Sequence, residues 1–188
     1  MSTSIMMNVD TKIQYNKLSA VKGDQEIMAQ YTSDYIGIIR TPFTQLQGMP
    51  IQPCGAKEVI GEVIVAPQFQ EGLKDLDGFS HIYLIYHLHQ AAPAKLTVIP
   101  FMDTVPRGIF ATRSPVRPSQ LGLSIVELLS VEENRLRIRG VDILDGTPLL
   151  DIKPFIKAFD CPEEAASGWM TAERKEVAER KSDHRFIK

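Results

Sequence analysis

The sequence predicts an all-β domain, a sandwich or a barrel, on three observations. Short runs rich in β-branched residues recur along the chain, and Gly or Pro punctuates them about every 10 to 15 residues. No long helical pattern lies between the runs, which argues against a doubly wound sheet. The composition is that of an ordinary globular protein, 44% hydrophobic and 23% charged over 188 residues.

The elements follow in order. Residues 1–33 lack sustained periodicity and read as a loose N-terminal extension, with the folded domain spanning 34–160 and a tail 161–188. From Asp34 the texture changes: YIGIIRTPF and EVIGEVIVAP each close at a proline, as strands ended by turns do. PQFQEGLKDLDG reads as one short helix before a turn. FSHIYLIYHLHQ, LTVIPF, GIFATRSP, LSIVELLSV and NRLRIRGVDIL read as further strand segments. After Pro162, EEAASGWMTAERKEVAERK has helical propensity and an i,i+4 pair, Glu176 and Arg180, so the short C-terminal tail is expected to be helical.

Several classes are excluded. No apolar run approaches the roughly 20 residues of a membrane span. The opening MSTSIMMNVD lacks the basic and apolar regions of a secretory signal. Cys54 and Cys161 cannot supply a disulfide framework or a zinc ribbon, and a reducing, cytoplasmic setting is expected. The net charge of −2 excludes a histone-like polycation. The bases cluster locally, six Lys and Arg against four acids in 171–188, so a polyanion would use a patch.

Four constellations could carry chemistry. In Ser80–Gln90, period-two alternation puts Ile82, Leu84, Tyr86 and Leu88 on a core face and His81, Tyr83, Ile85, His87 and His89 on the other. Three histidines on one face raise a metal site, but no carboxylate or cysteine stands at ligand spacing, so a hydrogen-bonded wall of a pocket or interface is expected and no metal. In GIFATRSPVRPSQLGLS, Pro115 and Pro118 stiffen a loop that could hold Arg113 and Arg117 fixed; a proline-rich corner with two solvated arginines is the ordinary alternative. GVDILDGTPLLDIKP crowds Asp142, Asp145 and Asp151 around a turn. Asp-Gly is a hairpin signal, and either Asp142 or Asp145 could accept hydrogen bonds from a ligand. Arg135, Arg137 and Arg139 alternate with apolar residues, giving one guanidinium face that is either a phosphate footprint or simply the wet face of a strand. The chain contains no G-x-G-x-x-G, Walker, G-x-S-x-G or H-E-x-x-H motif, so its chemistry uses a non-Rossmann scaffold.

LDGFSHIYLIYHLHQ, GIFATRSPVRPSQLGLSIVELL and VDILDGTPLLDIKPFI, in that order and with YIGIIRTPF and GMPIQP before them, resemble the TsaA/TrmO family from about Tyr35 to Trp169. The resemblance implies a TsaA-like β-barrel methyltransferase that uses S-adenosyl-L-methionine, works as a homodimer and methylates N6 of threonylcarbamoyladenosine next to the anticodon of tRNA. Small barrels with open edges also tend to pair. Carried over by motif, the cofactor contacts fall on Pro50, Ile51 and Gln52, on His89 and Gln90, on Arg113 and Leu123, and on Asp142, Ile143, Leu144, Asp145, Gly146 and Thr147. Asp142 and Asp145 are the expected proton acceptors. The competing expectations are a cofactor-binding regulatory or interaction module without turnover, and a methyltransferase acting on a small molecule.

Overall fold

A computed structural model describes residues 32–186. All but the last two residues of the N-terminal extension 1–33 fall outside the described residues. The strands are β1 Gly37–Arg40, β2 Ile60–Val65, β3 His81–His87, β4 Thr97–Val98, β5 Arg107–Gly108, β6 Leu121–Glu132, β7 Arg135–Arg139 and β8 Thr147–Pro154. Two short helices follow, α1 Lys157–Asp160 and α2 Arg174–Glu179.

Six strands close into an antiparallel barrel in the order β1-β2-β7-β6-β3-β8, with β8 returning to β1, while β4 and β5 form a separate two-stranded ribbon. The all-β expectation holds, and of its two forms the structure adopts the barrel. Alternation along each strand does the sorting. In β3, Ile82, Leu84 and Tyr86 are buried and the residues between them are not, the pattern expected of this run. Ile39, Val63, Val65, Ile82, Leu84, Val126, Leu136, Ile138 and Leu149 fill the interior, each contributing about 1.5–3 kcal/mol of transfer free energy.

Register fixes the two ends. Ile39 faces Thr147, Ile60 faces Arg139, and His87 faces Leu121. The β1–β2, β3–β6 and β7–β8 connections therefore leave one end of the barrel, called the mouth below. The opposite end carries the 66–80 connection and the tight Glu133–Asn134 turn, where Glu133 has φ 54°.

Local differences from the sequence reading have local causes. PQFQEGLKDLDG forms two 3-10 turns, Pro67–Leu73 and Leu76–Gly78, because Asp75 between them adopts φ 64° and breaks the run. LTVIPF contributes only β4, and GIFATRSP is a 3-10 turn at Ile109–Ala111 followed by proline-stiffened loop. Asp145-Gly146 is not a hairpin turn, since β7 and β8 are not neighbours; Gly146, with φ 74°, instead ends a segment that crosses the mouth before β8 begins. Among the described residues of the tail, Arg174–Glu179 alone is α-helical. Glu176 accepts from the Glu173 backbone in a capping box, and Arg180 lies 3.9 Å from Asp183. The pair expected between Glu176 and Arg180 gives way to that cap.

Candidate functional site

Three connections that are remote in sequence meet at the mouth. One carries Pro50, Ile51 and Gln52, the second His89, Gln90 and Arg113, and the third Asp142 to Gly146. Arg113 Nη1 donates to Gln52 Oε1 at 2.8 Å and joins the first two. Arg117 Nη1 donates to the Thr112 carbonyl at 3.3 Å, so the second arginine braces its own loop. Arg113 is thus exposed to solvent yet tied to Gln52, and Arg117 is half-buried and tied to its own loop, so each of the two readings describes part of the segment.

Asp142 joins the third connection to the barrel wall. The Ser124 hydroxyl on β6 donates to Asp142 Oδ1 at 3.0 Å, and Tyr86 Oη on β3 lies 3.0 Å from Ser124 Oγ. Burial pushes the Asp142 carboxyl up to about 6, against the opposing effects of the Ser124 hydrogen bond and the Arg113 charge. The Tyr86 phenol is raised well above its ordinary range, by burial first and by Asp142 second. Among the described residues no base lies within ion-pair distance of Asp142. Sequence reasoning placed Tyr86 in the core and did not single out Ser124. The available signal was a phenol and a hydroxyl on strand faces whose other buried members are Ile, Leu, Val and one Gly.

The other acids have separate partners, which explains how they tolerate one another. Asp145 accepts from the Thr41 amide at 3.0 Å and pairs with Arg40 at 3.3 Å, so it ties the end of β1 to the mouth segment. Asp151 pairs with Lys153 at 2.8 Å on β8. Ile143 and Leu144 are buried core residues, and their carbonyls accept from the Thr41 and Thr147 hydroxyls. Pro50 is buried and Ile51 is half-buried. Leu123 points outward and is 61% exposed.

The histidines separate. His81 packs edge-on to Phe155 at the far end, roughly 20 Å along β3 from His87. His87 bonds Gln120 at the mouth, and burial lowers the proton affinity of both His87 and His89. Among the described residues no three His, Cys, Asp or Glu gather as metal ligands. Two of the three arginines on this face are ion-paired, Arg135 with Glu62 at 2.8 Å and Arg139 with Glu127 through two bonds of 2.8 and 2.7 Å, while Arg137 between them is exposed and in no ion pair among the described residues. Of its two readings, the wet strand face fits the geometry better.

The tail clasps the mouth loops. Ser182 exchanges backbone bonds with Gly48 and Met49, Phe186 is buried with Val98, Ile109 and Val116, and the Trp169 indole donates to the Ala111 carbonyl at 2.7 Å. Arg185 is committed to Asp183 and to the Pro100 carbonyl.

A closed barrel without a dinucleotide fingerprint, with a guanidinium, an amide and a half-buried carboxylate gathered at one end, defines a non-Rossmann domain with a polar loop cluster at its mouth. The family model for the tRNA-methyltransferase O N-terminal domain matches residues 38–161. The chain belongs to that family. It is 49% identical over 152 residues to a probable S-adenosyl-L-methionine-binding protein of Pyrococcus abyssi, covering 81% of this chain and 83% of that one. It is 34% identical over 162 residues to the tRNA (adenine(37)-N6)-methyltransferase of Escherichia coli K12, covering 80% of this chain and 69% of that one. The crystal structure of TrmO from Pseudomonas aeruginosa superposes with a TM-score of 0.63 at 35% identity, over 74% of this chain and 62% of that one. The chain thus spans a little over three fifths of that solved protein.

Asp142 makes a pH prediction with a definite sign. Its folded value near 6 lies above the 3.8 of a free carboxyl, so the folded state holds the proton more tightly than the unfolded state. The stability this provides is complete below about pH 4 and is lost as pH rises through 6. Asp142→Asn should therefore gain on wild type between pH 4 and pH 7, by on the order of 1–3 kcal/mol in denaturant melts. A difference independent of pH would show that Asp142 is not burdened by burial.

Proposed function

We propose that this protein methylates N6 of an adenosine in tRNA, threonylcarbamoyladenosine next to the anticodon, as a homodimer in the cytoplasm. The coarser activity is that of its family: an S-adenosyl-L-methionine-dependent methyltransferase that modifies tRNA. The observation that carries the finer reading is Asp142, a half-buried carboxylate supported by a hydroxyl and left without a cationic partner among the described residues. A carboxylate in that state suits a cationic ligand or an N–H that must lose its proton.

The donor set fits the cofactor. Arg113, aligned by Gln52, would bind a carboxylate, the backbone from Asp142 to Thr147 offers polar groups, and Pro50 and Ile51 offer apolar contact, whereas Leu123 lies on the outer face of β6. When bound, the cofactor supplies an electrophilic methyl group on a sulfonium. The exocyclic amine of adenine is a weak nucleophile because its lone pair is delocalised into the ring. The chain must therefore hold that nitrogen in line and accept its proton. Asp142 is the acceptor, because both oxygens of Asp145 are already engaged by Thr41 and Arg40.

The dimer rests on a face, since the closed barrel leaves no open edge to pair. Leu121, Leu123, Ile125 and Leu129 form an exposed apolar stripe along β6, and a two-fold axis would bury the same stripe of two copies against itself. Light scattering should give a dimer for wild type and a monomer for Leu123→Asp.

The decisive assay is turnover with labelled cofactor on total tRNA, followed by nucleoside mass spectrometry. Label in N6-methylated threonylcarbamoyladenosine is the expected result. Label in another nucleoside would overturn the acceptor, and no label would favour a binding module. Arg113→Ala should weaken cofactor binding by about 10- to 100-fold in calorimetry, the worth of a charged hydrogen bond. Phosphate contacts are assigned to Lys57 and Lys95, exposed on mouth connections and in no ion pair among the described residues. Replacing both with Gln should flatten the log–log salt dependence of tRNA binding by about 0.7–0.9 per contact. Replacing Arg135 and Arg139, which are already neutralised, should leave it unchanged.

A further inference from the structure

Asp142 is reached from inside the barrel by a chain of groups with a definite direction. Tyr86 and Ser124 stand on neighbouring strands with their side chains buried. Across the sheet Tyr86 faces Gly122, and Ser124 lies two residues further along the same face of β6. A Cβ on Gly122 would overlap the Tyr86 ring. The missing side chain lets the ring lie across β6 and carry its hydroxyl to Ser124 Oγ, 3.0 Å away. Ser124 has one proton, which it donates to Asp142 Oδ1. Tyr86 must then be the donor to Ser124, so each group has one role.

We infer that Tyr86 and Ser124 are positioning residues that hold the Asp142 carboxylate in one orientation through a one-way chain of hydrogen bonds, phenol to hydroxyl to carboxylate. Oδ1 is committed to Ser124, which leaves Oδ2 free of any side-chain donor among the described residues. The inference rests on the reading in which Asp142 accepts the proton from the methylated nitrogen. The phenol suits its part, because burial keeps it protonated at any working pH.

The charged or titratable groups acting on Asp142 are Arg113, from the connection between β5 and β6, and Tyr86, from β3. Both are left in place when Ser124 is replaced by Ala. That variant removes a donor to the charged form, so the Asp142 carboxyl should titrate about one unit higher. Tyr86→Phe keeps the ring over Gly122 and removes only the hydroxyl; it should move Asp142 in the same direction by less. The chain passes through Ser124, so Tyr86→Phe/Ser124→Ala should equal Ser124→Ala alone.

The experiment is carbon-13 NMR titration of the Asp142 carboxyl in the full chain, wild type and three variants, without added ligand. It is paired with pH profiles of methyl transfer to tRNA. The expected result is the non-additive pattern of titration shifts. In turnover, kcat should fall about tenfold for Ser124→Ala, with its acidic limb moved upward by the same shift and the KM for cofactor nearly unchanged. Additive shifts, or an unmoved Asp142 in folded Ser124→Ala, would overturn the inference. The titration is read without substrate, so it decides the chain of hydrogen bonds even if wild type transfers no methyl group. Conversely, wild-type turnover with an unmoved Asp142 would retain the proposed function and remove only the positioning role.

Discussion

Closure of the barrel by β1 against β8 is the constraint on which the rest of the structure depends. Three residue pairs make it: Gly37 with Leu149, Ile38 with Pro148 and Ile39 with Thr147. The first and last strands of the sheet thereby satisfy each other's backbone groups, and the interior loses contact with water on every side. Closure also fixes the stagger of the strands. With that stagger set, the β1–β2, β3–β6 and β7–β8 connections have no choice of end, and the groups they carry converge on one mouth. Arg40 and Asp145 reinforce the same seam from outside the hydrogen-bond ladder.

The mouth itself is built from irregular backbone, held by turn bonds and by cross-loop bonds such as Lys95 N–H to the Val116 carbonyl and Asp145 N–H to the Phe43 carbonyl. Two devices add to these. Side chains bond across it, as between Arg113 and Gln52, and between the Thr41 hydroxyl and the Ile143 carbonyl. The tail adds a clasp from above, with α2 against the 53–55 turn, Ser182 on the 46–49 loop and Phe186 in a small apolar cluster. That cluster is separate from the barrel core, so the loops carrying Arg113 rest on packing of their own. A loop stiffened by prolines and seated on a hydrophobic cluster can hold a guanidinium in place at small entropic cost.

Electrostatics at the two faces differ in kind. On the outer wall of β2, β6 and β7, opposite charges meet across strands in solvent, where each pair is worth little and mainly neutralises its partner. At the mouth, Asp142 is partly withdrawn from water and given a hydroxyl and a distant guanidinium in place of a salt bridge. Burial therefore dominates its proton affinity, and a carboxylate that would be inert at the surface becomes a group able to exchange a proton near neutral pH.

The sequence alone determined the all-β class, the core face of β3 and the non-Rossmann character, because alternation and motif absence are local properties that a linear string displays. The order of its loop phrases also identified the family, and with it the mouth residues Gln52, Arg113 and Asp142. Only the tertiary structure decided what those residues touch. Asp145 and Asp142 are three residues apart and look equivalent in sequence, yet one bonds to the end of β1 and the other to β6. Arg135 and Arg139 of β7 look like free cations until Glu62 and Glu127 are brought beside them from strands adjacent in space, which leaves Arg137 alone unpaired among the three. Tyr86 and Ser124 are 38 residues apart, and each reads as an ordinary strand position until strand register sets them on one surface with Gly122 between. Side-chain partnership of this kind depends on which strands become neighbours, and that is settled by closure of the whole barrel rather than by any segment of it.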